Sequence, residues 1–243
     1  MIAELLALAA LTWQDPSGDA HGAGDLVPPT AEVYSSLAPF DLVQASVLDD
    51  ALLVVEVRLA GIPDPGGLPN GLTLPVVDVY LDTGEGGREA LLLGSDMAMP
   101  AGRGWELALR VHGDDAYLVD AGDPDGRPRP VAVTRRGDAL RLETGLARPE
   151  EIRDLHALTG VYDPFRSDGW RPLAATPSPW AFSSETPAPP VVDLLADDDA
   201  AQRDALRAFT LPTRTTRSGS VPWLVLMLAG LGVAIVGLSL IHI

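Results

Sequence analysis

The sequence contains no cysteine and no lysine. The missing cysteine excludes disulfide scaffolds, thiolate metal sites and cysteine nucleophiles. The missing lysine excludes Schiff-base chemistry and the phosphate-clamping lysine of a Walker loop. Histidine occurs four times, as His21, His112, His156 and His242. No two of them form an HExxH pair, no CxxCH exists to attach a haem, and GxSxG and GxGxxG are absent. Acids are abundant everywhere, so no two of them mark a glycosidase pair. The chain therefore reads as a non-enzyme. Positive charge is also scarce. Seventeen arginines against 34 acidic residues leave a net charge of −17. Such a surface repels a phosphate backbone and argues against a nucleic-acid partner.

Turn formers are plentiful, with 24 glycines and 22 prolines in 243 residues. Between them lie short apolar runs. LLVVEVRL (52–59) alternates, with Leu53, Val55, Val57 and Leu59 on one face. LPVVDVYLD (74–82) does the same with Val77, Val79 and Leu81, and WELALRV (105–111) with Trp105, Leu107, Leu109 and Val111. Further strands are expected at 41–47, 116–119, 130–134, 139–144 and 155–161, and 191–195 is a short apolar run. PEEIRDLHAL (149–158) has a helix-start pattern, proline followed by two acids, and predicts a short helix turn running into a strand. AQRDALRAF (201–209) predicts a helix. Eight to ten short strands with turns between them predict an all-β fold, an immunoglobulin-like or jelly-roll-type sandwich spanning residues 13–209.

Three acids, Asp15, Asp19 and Asp25, fall within eleven positions of a glycine-rich loop. Hard oxygen donors on irregular backbone suit Ca²⁺, although the spacing is not that of an EF-hand and a solvated acidic loop has the same composition. Asp78 and Asp82 share one face of a strand, about 13 Å apart, too far to ligate one ion together. Flat rings beside carboxylates suit sugar faces. Trp170 and Trp180 in proline-rich loops, with Tyr80 and Asp78, are the candidate ligand residues, and packing beneath a loop is the competing role for each ring.

The two ends differ from the body. MIAELLALAAL (1–11) resembles the core of a signal peptide without its basic start. Residues 1–12 read either as a leader remnant or as a first structural segment. Residues 210–220 read as a polar linker. Val221–Ile241 carries no charge over 21 residues, about 30 Å as a helix, and 221–243 is expected to be a single-pass membrane anchor. Arg214 and Arg217 before it favour a cytoplasmic body; the leader-like start favours the outside.

Several segments, in order, resemble one family. They are WQDPSGDAHGAG (13–24), FDLVQASV (40–47), LPNGLTLPVVDVYLDT (68–83), WELALRV (105–111), YDPFRSDGWRPL (162–173) and PPVVDLLADDDAAQRDAL (189–206). Together they are similar to the C-terminal binding module of glucodextranase and related amylopullulanases. The resemblance implies a sandwich of the DOMON-like and family 9 carbohydrate-binding-module type. It implies an extracytoplasmic, cell-surface role holding polysaccharide or envelope glycan, with no catalytic residues. Structural Ca²⁺ occurs in related sandwiches, which favours Asp15 and Asp19 as ligands. Ala20 stands where the family's loop carries a further aspartate, and Pro190 where it carries an asparagine. The expected function is a membrane-anchored, non-catalytic glycan-binding module. The alternative is a structural or protein-interaction accessory domain.

Overall fold

The computed structural model describes residues 9–84, 86–123 and 125–214. Eleven strands and one α-helix make up the described fold, close to the strand number the sequence suggests. The strands are β1 (Ala9–Gln14), β2 (Leu42–Leu48), β3 (Leu52–Leu59), β4 (Leu72–Asp82), β5 (Leu107–Gly113), β6 (Asp115–Asp120), β7 (Arg129–Pro130), β8 (Ala132–Arg136), β9 (Ala139–Ala147), β10 (Asp154–Val161) and β11 (Val191–Leu194). Helix α1 is Asp199–Ala208. They form an all-β sandwich of two antiparallel sheets. One sheet has five strands in the order β1-β2-β3-β9-β8, the other six in the order β11-β10-β4-β5-β6-β7.

Alternation explains the sandwich. Leu53, Val55, Val57 and Leu59 of β3 face Val77, Val79 and Leu81 of β4 and Leu107, Leu109 and Val111 of β5 across one apolar core. Side chains of period two leave the other face of each strand free. In the five-stranded sheet that outer face carries Glu56, Arg58 and Arg141. In the six-stranded sheet it is covered instead. Loops 88–105 and 163–190 and helix α1 pack on it and create a second core of Val76, Tyr80, Ala108, Trp105, Trp170 and Leu206. That covering is why β4, β5 and β10 are buried on both faces.

PEEIRDLHAL forms no helix. Strand β10 begins at Asp154, and Arg153 N already donates to Asp82 O at 2.8 Å. Strand β10 lies between β4 and β11; its full ladder to β4, with a shorter pairing to β11 from Leu158 on, outweighs a local helix-start pattern. The N-terminal segment 9–14, read as leader or first element, is a strand paired with β2; residues 1–8 lie outside the described residues. At the other end, Leu211 is buried and its N–H donates to Ala98 O, so the chain stays on the body through the first part of the expected linker.

The expected C-terminal membrane helix is corrected. Among the described residues no helix is long and apolar enough to cross a membrane. The one α-helix, α1, has ten residues, half the length a bilayer needs, and carries acids and arginines along it. The apolar run Val221–Ile241 lies outside the described residues. A single-pass anchor and a membrane partner therefore form no part of the functional reading.

Trp170 plugs the space between loop and sheet. Its ring rests on Gly160 of β10 and against Gly94 of the covering loop, where an added Cβ would meet the ring at 2.7 Å. A Cβ at Gly160 would overlap the ring outright. Gly160→Ala is expected to cost about 1–3 kcal/mol, as overpacking does. Urea unfolding measures this, and an unchanged midpoint would show that the ring can move aside.

Candidate functional site

Two sites emerge from the residues singled out above. The first lies where the two sheets meet at one edge. Asp15 follows β1, Asp19 lies in the loop after it, and Asp193 lies within β11 of the opposite sheet. One carboxylate oxygen of each falls within 4.8 Å of the other two, and all three residues are buried. Backbone amides fix part of this arrangement. Asp193 Oδ2 accepts from Leu42 N at 2.7 Å and Oδ1 from Leu194 N at 2.8 Å. Asp15 Oδ1 accepts from Ala196 N at 2.6 Å. Gln202 of α1 donates to Asp19 O at 2.6 Å and so ties the helix to the loop.

The remaining oxygens have no partner. Asp15 Oδ2, both Asp19 carboxylate oxygens and Oδ1 of neighbouring Asp41 are buried without a hydrogen bond. Burial and mutual repulsion push the Asp15 carboxyl up to about 8; burial, with Asp41 and Asp199 nearby, pushes Asp19 up to about 6. Burial first, then the charges of Asp15 and Asp19, raise Asp193 as well. Unpaired carboxylate oxygens converging in a buried site are costly unless a proton or a cation joins them. This cluster of buried acids could chelate a cation.

Asp25, the third acid expected there, does not join the cluster. It is exposed and accepts from Thr186 Oγ1 at 2.6 Å. Asp193 takes the third place, and sequence reading missed it. The available signal was an acid inside the apolar run VVDLL (191–195), where a lone charge in a buried strand needs a partner. Ala20 is buried beside the cluster and supplies no ligand.

The second site is the covered outer face of the six-stranded sheet. Asp78 of β4, Arg110 of β5 and Tyr117 of β6 are cross-strand neighbours in one row. Arg110 Nε and Nη2 grip the two Asp78 carboxylate oxygens at 2.7 and 2.6 Å. Tyr80 Oη donates to Asp78 Oδ2 at 2.9 Å, and the Arg110 guanidinium lies over the Trp170 ring, 5.9 Å from its centroid. Burial alone would lower the Arg110 pKa; the Asp78 charge and hydrogen bonds outweigh it and raise it. Asp82, two steps of alternation on, pairs with Arg103 at 3.1 Å. Three of the four expected ligand residues, Asp78, Tyr80 and Trp170, are thus brought together, but inside the protein, each at most 1% exposed. Their chemistry is spent on one another. Trp180 lies apart from them and is 55% exposed.

A family model described as the C-terminal binding-module, SLH-like, of glucodextranase matches residues 11–219. The chain belongs to this family. No curated protein matches the sequence. The match covers nearly all of the described sandwich, from within β1 to Arg214, and the family is a binding module rather than a catalytic domain.

The cation cluster makes a testable demand on pH. Without a cation, Asp15 and Asp19 hold protons in the folded state at pH values where the unfolded chain, at 3.8, has lost them. The folded state binds more protons, so stability falls as pH rises. It is fully present below the unfolded value and is lost as pH rises through about 6 and then about 8. In a chelator, the melting midpoint should therefore drop between about pH 5 and about pH 9. A midpoint that rises over that interval would contradict the buried, unpaired state of these carboxyls.

Proposed function

We propose that the protein is a non-catalytic binding module for polysaccharide or cell-envelope polymer, with Ca²⁺ as a structural ion. The match of residues 11–219 to a binding-module family carries the reading. The buried cluster supports the ion. Asp15, Asp19 and Asp193 would hold it, and the unpartnered Asp15 and Asp19 oxygens suit a hard cation that takes six to eight oxygen donors. Ca²⁺ there would supply charge neutralisation and a cross-link between the two sheets. It would pin the loop 15–25 to β11 and polarise no substrate.

A second reading, a structural or protein-interaction accessory domain, has its own support. Hydrogen bonds from Thr30 N to Ser178 O and from Val27 N to Ser183 O draw two loops together. Val27, Val33 and Trp180, all exposed, lie on these loops. Exposed apolar side chains grouped on one side suit a protein surface as well as a sugar ring.

Thermal unfolding separates these ideas. Asp19→Ala is expected to lower the midpoint only when Ca²⁺ is present; equal effects with and without the ion would remove the metal site. A polymer that binds the folded state must raise the midpoint, by an amount that grows with its concentration. A shift with an α-glucan or an envelope polysaccharide supports the module. No shift with any polymer, at concentrations where weak binders register, transfers the weight to the accessory-domain reading.

A further inference from the structure

The row Asp78–Arg110–Tyr117 does not end in the interior. Above its Arg110–Tyr117 end a pocket of about 260 Å³ opens on the outer face of the six-stranded sheet. Arg88, Leu93, Arg110, Tyr117, Ser167 and Asp168 line it. The residues expected from sequence to touch ligand form its foundation instead.

The floor is rigid. Arg110 is held by both Asp78 oxygens, by the Asp168 carbonyl at 2.8 Å and by the Trp170 ring beneath it. The Asp168 carboxylate is fixed by Arg166 Nε at 3.0 Å and Nη2 at 2.7 Å, and accepts from Trp170 N at 3.0 Å. Polar groups already held in place lose little freedom when a ligand arrives.

Charge decides the class of ligand. Asp78 compensates Arg110, and Arg166 compensates Asp168. An anionic polymer would find only Arg88 to meet it, on a protein of net charge −17. A neutral, hydroxyl-rich ring finds what it needs: guanidinium and phenol donors, a serine hydroxyl, carboxylate acceptors and an apolar wall. The wall is conspicuous. Phe165 and Leu93, 92% and 82% exposed, are the most exposed of the large apolar side chains among the described residues. Of these, Leu93 lines the pocket, together with Leu92 and Val119. Such side chains in water suit the C–H face of a sugar.

We propose that this pocket is the subsite that takes one neutral sugar unit of the bound polymer. Hydroxyls bond to Tyr117, Ser167 and Asp168, and the ring lies against Leu93; Arg110, itself buried, holds the floor beneath them. The proposal rests on the binding-module reading given above, and the test keeps the two apart. The full chain would be titrated calorimetrically with dextran, soluble starch and purified bacterial cell-wall polysaccharide. Tyr117→Ala and Ser167→Ala, combined, should weaken association with a neutral polymer at least about tenfold. Tyr117→Phe, which removes one hydroxyl and keeps the packing, should weaken it in the same direction if the alanine variant does not fold. Leu52→Ser, an exposed change on the opposite sheet, should bind as the unaltered chain does. Equal binding by the pocket variants would overturn the subsite and leave the module standing. Binding only to the charged wall polymer, lost as salt rises, would overturn the neutral-sugar assignment. Failure of the unaltered chain to bind any of the three would overturn both.

Discussion

The architecture depends on how Asp193 is held. It is a completely buried acid in the edge strand of the six-stranded sheet, and it accepts a backbone hydrogen bond from Leu42 in the five-stranded sheet. That bond spans 151 positions of sequence and crosses between the sheets. Asp15 makes the reciprocal link, reaching from the end of β1 to Ala196 just past β11. The apolar core attracts the two sheets without direction. These carboxylates add direction and fix which edge meets which. Their cost is the concentration of negative charge at one buried point, which is why the same residues that clasp the sheets also create a place for a cation.

The outer face of the six-stranded sheet follows a different solution to the same problem. A sheet in a sandwich commonly leaves one face to water, and polar residues there need no partner. Here loops and a helix cover that face, so each polar side chain on it must be matched inside the protein. Asp78 with Arg110 and Tyr80, and Asp82 with Arg103, are those matches. His156 lies 3.7 Å from the Asp154 carboxylate; burial, with Arg214 and Arg103 nearby, nevertheless lowers its pKa to about 3, so it is neutral at ordinary pH. Where the cover ends, past β5, the buried Asp78–Arg110 pair underlies a pocket whose accessible polar groups are Tyr117, Ser167 and Asp168.

Much of the sandwich was legible because strand periodicity is local. The alternation of 52–59 reproduces β3, and that of 74–82 most of β4. What was not legible was non-local. PEEIRDLHAL carries a helix signal that only its two neighbouring strands override. Asp193 joins Asp15 and Asp19 from nearly 180 positions away, whereas Asp25, near in sequence, points elsewhere. Trp170 lies in a proline-rich loop whose composition leaves ligand stacking and packing beneath the loop both open, and two glycines, Gly94 and Gly160, open a buried seat for its ring. The loop composition was read correctly as loop; its role as a lid on a sheet could not be read without knowing that the sheet had an uncovered apolar face.

The two sites occupy opposite edges of one sheet, and the strands between them make the sheet a single mechanical unit. From Leu194, next to Asp193, the cross-strand row runs through Leu158, Asp78 and Arg110 to Tyr117. The lid that completes the pocket is continuous with the clasp as well. Its segment 163–190 leads directly into β11, and its other half is tied through Ala98 to the residues that follow α1. The edge at Asp193 therefore anchors directly the end of the lid that runs into β11. A structural ion at that edge would thus act on binding without touching ligand, by holding in register the loops that position Ser167, Asp168 and Trp170.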